Sequence, residues 1–209
     1  MIPLSPHKSV RFRFNMANGH LRICVLLLLV IGLTSCGPDR MDDYSDLSIK
    51  LTNQNGETVQ FPEDFRGKPV MVGFIYTHCP DICSFITANL YKTWQELDET
   101  GDAHFLLITF DPERDTPDIL ASYADSFNMN RAPFQFLTGS PENIERLMER
   151  FSVRKQVSYT TETEEGNEIY FLNHTDKVLL IDQESRLVMD YGGSMTPVHI
   201  FKTDLEPLL

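Results

Sequence analysis

The sequence predicts an α/β domain in which one mixed central sheet packs between helices. Three observations predict it. Strand-like and helix-like segments alternate from residue 69 to residue 151, the order that builds parallel strands joined by helical crossovers. Two further pairs of strand-like segments, 155–172 and 177–191, read as antiparallel hairpins, which makes the sheet mixed. A cysteine, Cys79, falls where the first central strand ends and a helix begins. Open α/β sheets place their ligands there, at the carboxyl ends of the strands.

The first 35 residues stand outside that fold. They hold Lys8, Arg11, Arg13 and Arg22, no acidic residue, and then an apolar run from Ile23 to Leu33. A basic start, a short apolar stretch and small residues after it read as a secretory signal. The run is shorter than the about 20 residues that span a bilayer. Met16, heading MANGHLR, offers a second start with a more typical basic region. LTSC, ending at Cys36, resembles the lipobox of bacterial lipoproteins, whose cysteine becomes the acylated N-terminus. Residues 1–35 are therefore expected to be a lipoprotein-type signal peptide, with Cys36 the lipidation site. Residues 36–46 are polar and read as a tether, leaving one domain at 47–209 on the extracytoplasmic side of a membrane.

Within that domain, LSIKLTNQNGETVQF alternates on both sides of Asn55-Gly56, a hairpin signal. PEDFRGK is a loop, and PVMVGFIY is a continuous apolar run that reads as a buried central strand. After the cysteine segment, Ile82, Phe85, Ile86, Leu90, Trp94 and Leu97 follow helical spacing. AHFLLITF is a second buried strand. Thr116 and Pro117 open the next helix as N-cap and first helical residue, and Ser140-Pro141 and Thr196-Pro197 open two more. FQFLT is a short strand between the first two of these. The hairpin at 155–172 has an acidic tip, ETEEGNE, read as a solvated loop.

Composition narrows the partners. Four of the 18 Lys+Arg precede Cys36, so the remainder carries 14 against 30 Asp+Glu, a formal charge of −16. So acidic a domain is a poor nucleic-acid binder, because phosphate neutralisation needs cations. Of the four cysteines, Cys24 lies in the signal and Cys36 in the lipobox, so only Cys79 and Cys83 remain in the fold. Bridging two residues this close restrains an unfolded chain little, so a structural staple would be weak.

Pro80 is expected to put Cys79 at a helix N-cap and Cys83 one turn further in, on one helix face. The helix N-terminus favours thiolate at Cys79, while Asp81 opposes it. Three chemistries fit: a dithiol/disulfide couple, a peroxidatic thiolate, which needs an arginine not evident nearby, or a metal site with a third ligand. Four histidines qualify by position. His78 adjoins Cys79 but points elsewhere at a strand-to-helix junction. His104 lies in a strand and His199 on the last helix. His174, in NHTDKVLLID, enters the late hairpin and stands beside the cysteine loop in a thioredoxin-like sheet. Oxidoreductases of that fold carry a cis-proline just before this hairpin strand, yet no proline occurs between Pro141 and Pro197. That shifts weight from redox catalysis to metal binding. Met129, Met148 and Met195 are scattered and read as core or loop fillers.

GFIYTHCPDIC, DPERDTPDIL and LNHTDKVLLID, in that order, resemble the SCO/SenC family of copper-binding proteins, over about residues 47–209. The resemblance implies a thioredoxin-like fold with an extra β-hairpin. It implies copper, as Cu(I) or Cu(II), held by Cys79, Cys83 and His174, with Asp111 near the site either as a loop-shaping acid or in a direct metal role. It implies a membrane-tethered chaperone, rather than a turnover enzyme, that takes copper from a donor protein. Delivery would be to the dinuclear copper site of cytochrome c oxidase, with the oxidase copper-binding subunit as partner. The alternative is a thiol-disulfide oxidoreductase acting through Cys79 and Cys83 on cysteines of that subunit or of another cuproprotein. Ser84 stands where the family usually has proline.

Overall fold

The computed structural model describes residues 42–99, 101–162 and 168–209. The expected signal peptide, Cys36 and the start of the tether lie outside the described residues, as does most of the acidic tip. The described residues belong to one compact unit, Arg40–Leu209.

Nine strands are described: β1 (Ile49–Asn53), β2 (Thr58–Phe61), β3 (Val70–Ile75), β4 (His104–Thr109), β5 (Phe134–Thr138), β6 (Lys155–Glu162), β7 (Glu168–His174), β8 (Val178–Ile181) and β9 (Leu187–Tyr191). Four helices accompany them: α1 (Cys83–Glu96), α2 (Pro117–Ser126), α3 (Pro141–Arg150) and α4 (Val198–Leu205). Seven strands form one sheet in the order β2-β1-β5-β4-β3-β8-β9, and β6 with β7 forms a separate hairpin. β3, β4 and β5 run parallel, whereas β8 joins β3 antiparallel and β1 joins β5 antiparallel. This is the mixed sheet of a thioredoxin-like fold with an added hairpin.

The continuous apolar run of β3 is buried at all six positions, as a strand covered on both faces must be. α1 lies hard against it. A Cβ at Gly73 would stand 2.8 Å from Ile86 Cγ2 and 3.1 Å from Leu90 Cδ1, so only glycine lets strand and helix approach this closely. The helix that carries Cys83 is thereby seated on the strand that leads into Cys79.

Three local expectations change. Residues 42–46 are not free tether. Leu187 N–H donates to Asp42 O at 2.8 Å, Asp43 bridges Arg186, and Tyr44 is 1% exposed with its ring 4.6 Å from that of Phe151. One aromatic residue in a polar stretch is enough to fasten the segment, and composition does not register it. Among the caps, Ser140 Oγ accepts from Asn143 N–H as expected, but Thr116 makes no side-chain cap bond. Pro197, not Thr196, is the N-cap of α4, and the Thr196 hydroxyl donates instead to Gly192 O.

Candidate metal centre

β3 delivers the chain to the site through Tyr76, which is buried, and a turn at Thr77-His78. Cys79 N–H then closes back on Tyr76 O at 3.2 Å. The ladder of α1 begins at Ile82 O, which accepts from Phe85 and Ile86 N–H at 3.0 Å each. Cys79 is therefore not the helix N-cap: a turn of loop separates it from Cys83, the first residue of α1. The fixed φ of proline suits the second position of a turn as well as the first of a helix, so Pro80 alone does not distinguish the two. The hydroxyl of Ser84 donates to Asp81 O at 3.1 Å and ties this loop to the helix, where a proline would have no donor.

β7 supplies the third group. His174 is the last residue of that strand, not part of the loop beyond it, and pairs with Lys155 of β6. One ligand atom each from Cys79, Cys83 and His174 lie within 4.8 Å of one another. His174 Nε2 is 3.5 Å from Cys83 Sγ. Nδ1 lies 2.9 Å from the carbonyl of Thr175, which can only accept, so Nδ1 carries the hydrogen and Nε2 turns its lone pair toward the sulfurs. The ring lies against Phe110, centroids 4.4 Å apart, and meets Tyr76 edge-on.

The two thiols differ. Cys79 is half-buried and its thiol is pulled down to about 4, first by the hydrogen bond from Cys83, with the N–H groups of Cys83 and Asp81 assisting against burial. Cys83 is 1% exposed, and its thiol is pushed up by that same bond and by burial. The pair thus holds one proton, on Cys83, between two sulfurs. The arrangement provides one thiolate, one thiol and one imidazole lone pair aimed at a common point. Soft sulfur donors with imidazole suit copper or zinc.

Buried polar ties hold these parts in place. Asp115, wholly buried, accepts from Thr77 N–H at 3.1 Å and from the hydroxyls of Thr77 and Thr109, both at 2.5 Å. Burial pushes its carboxyl up, and the threonine bonds pull it back. Asp111 accepts from Arg114 Nε at 2.5 Å and from the Tyr170 hydroxyl at 2.7 Å. Arg114 stacks over the Tyr170 ring at 3.6 Å and donates to Tyr170 O. Asp111 is thus a fastening for the hairpin, outside the three-residue group. The Tyr76 hydroxyl accepts from Leu172 N–H at 3.2 Å, two residues before His174.

The other candidates lie elsewhere. His78 is exposed, His199 is exposed on α4, and His104 packs edge-on against Phe65. Met129 and Met148 are core residues, and Met195 is 84% exposed in a 3-10 turn. Asp115, Arg114, Tyr76 and Tyr170 were not singled out from the sequence, though the second aspartate of DPERDTP was visible in it. Among the described residues no helix is long and apolar enough to cross a membrane.

The family model SCO1/SenC matches residues 42–205. The chain is 29% identical over 148 residues to the protein SCO1 homolog, mitochondrial, of Homo sapiens, covering 69% of this chain and 46% of that one. It thus spans under half the length of that relative. Its fold is similar to that of Bradyrhizobium japonicum ScoI with copper bound (28% identity, TM-score 0.62, 78% of this chain and 98% of that one). It is also similar to that of a SCO1/SenC family lipoprotein from Bacillus anthracis (27% identity, TM-score 0.65, 83% and 99%).

Proposed function

The chain belongs to the SCO1/SenC family, and on that premise we propose that it is a membrane-tethered copper chaperone. Cys79, Cys83 and His174 hold the cargo ion. The observation that carries this reading is the convergence of two sulfurs and an unprotonated imidazole nitrogen within 4.8 Å, the nitrogen freed by the bond its partner makes to Thr175 O. Copper is the metal that this donor set favours together with the copper-bound Bradyrhizobium neighbour. Three donors, with Cys79 half-buried, leave a side open for ligand exchange with a recipient's thiolates. Loading displaces the proton held between the sulfurs, and oxidation of the pair to a disulfide removes both donors.

The leader at 1–35, lipidation at Cys36 and a short tether would keep the domain at the membrane on the extracytoplasmic or periplasmic side. The Bacillus anthracis neighbour described as a lipoprotein supports that anchoring. The recipient would be the copper-binding subunit of cytochrome c oxidase, supplied through a copper donor protein upstream.

A second reading, a thiol-disulfide oxidoreductase, draws on the same lowered Cys79 thiol beside a protected Cys83. One substitution separates the two. His174→Ala is expected to lose retained copper on gel filtration while its dithiol oxidises as in the wild type. A variant that keeps one copper per chain with an unchanged visible spectrum removes the three-ligand reading and leaves the oxidoreductase.

A further inference from the structure

A second imidazole, that of His78, precedes Cys79 in the chain, and its orientation follows from counting hydrogens. The Thr77 hydroxyl has one hydrogen. Its oxygen lies 2.5 Å from Oδ1 of Asp115, a buried carboxylate that also accepts from Thr77 N–H and Thr109 Oγ1, so that hydrogen is committed to Asp115. Thr77 Oγ1 is also 3.1 Å from His78 Nδ1. With its hydrogen already used, the hydroxyl can only accept there, so Nδ1 of His78 donates and Nε2 keeps a free lone pair. His174 is set up in the same way, with Nδ1 tied to a carbonyl and Nε2 free. The two imidazoles differ in where they stand. His174 lies inside the three-residue group, whereas His78 is outside it, exposed, and adjacent in sequence to the half-buried Cys79.

We propose that His78, an exposed residue, is a capture ligand: its Nε2 takes a hydrated copper ion and passes it, through Cys79, to the site formed with Cys83 and His174. This rests on those three residues holding copper. The step is ligand exchange. A water leaves the ion when His78 Nε2 binds, further waters leave as the two sulfurs and His174 Nε2 bind, and the Cys83 proton goes to solvent as His78 is released. No electron moves. An exposed side chain held in one tautomer by a hydroxyl that is itself committed to a buried carboxylate suits a transient ligand. It is oriented before the ion arrives, and it stands outside the three-residue group that retains the ion.

The test is rapid mixing of the reduced protein with copper(II) sulfate, following sulfur-to-copper charge-transfer absorption. His78→Ala is expected to reach the wild-type final spectrum with one copper per chain, at a second-order rate lower by about tenfold. Thr77→Val, which leaves the imidazole untethered but present, is expected to fall between. A His78→Ala rate within twofold of wild type, with the band still dependent on His174, overturns capture alone. A final spectrum altered by His78→Ala makes His78 a resident ligand and also overturns it. A band that survives His174→Ala overturns the three-ligand reading and the hand-over with it.

Discussion

Cys79 and Cys83 share one proton unequally, and the inequality sets how loading depends on pH. Cys79 is ionised down to about 4, while Cys83 keeps its proton through the neutral range because its thiol is pushed up. Only the Cys83 proton then has to leave as metal binds. Raising the pH favours its departure, so affinity strengthens with pH. Between about pH 7 and 8.5 the logarithm of the apparent copper affinity is expected to rise by about one per pH unit, measured by competition with a chelator of known proton dependence. A slope near zero would mean that both sulfurs are already ionised, and a slope near two that neither is. At this scale the sulfurs were legible from their spacing and from the fold position of Cys79. His174 was legible from its place before the late hairpin and from the resemblance of its segment. Asp115 was not. Its partners, Thr77 and Thr109, reach it across a strand end and a loop, and a buried acid in sequence looks like any acid in a turn.

The elements do the positioning. α1 is pressed onto β3 at Gly73, which sets Cys83 relative to the end of the strand. The β6–β7 hairpin carries His174 and shares no strand pairing with the main sheet, so side chains must hold it. Arg114, Asp111 and Tyr170 form one clasp, and the Tyr76 hydroxyl on Leu172 forms another. Tyr76→Phe removes the second clasp and leaves Leu172 N–H without its acceptor, at a cost of about 1–2 kcal/mol. Hydrogen exchange at the Leu172 amide should accelerate while that of β3 and β4 amides stays slow. Equal protection in wild type and variant would show that the hairpin is held by other contacts. The strands, the hairpins and the helices were readable from apolar periodicity, which is strong where an element is buried on one or both faces. The start of α1 was not, because a proline serves a turn and a helix start alike. The docked segment at 42–46 was missed because a single buried tyrosine makes no pattern.

At the scale of the whole molecule, two distant parts of the chain meet at one point. The cysteines stand on the link from β3 to α1, and the histidine arrives more than 90 residues later on an appended hairpin. The acidic character, 14 basic against 30 acidic residues beyond residue 35, makes the chain a poor match for phosphate backbones, and solubility alone accounts for such a surface. The central claim is that one ion is gripped from both parts of the chain together. X-ray absorption at the copper edge of the loaded protein tests it most directly. The account predicts two sulfur donors and one imidazole nitrogen, with the nitrogen contribution lost in His174→Ala. Two sulfurs with no imidazole, or an imidazole contribution unchanged by that substitution, would contradict it.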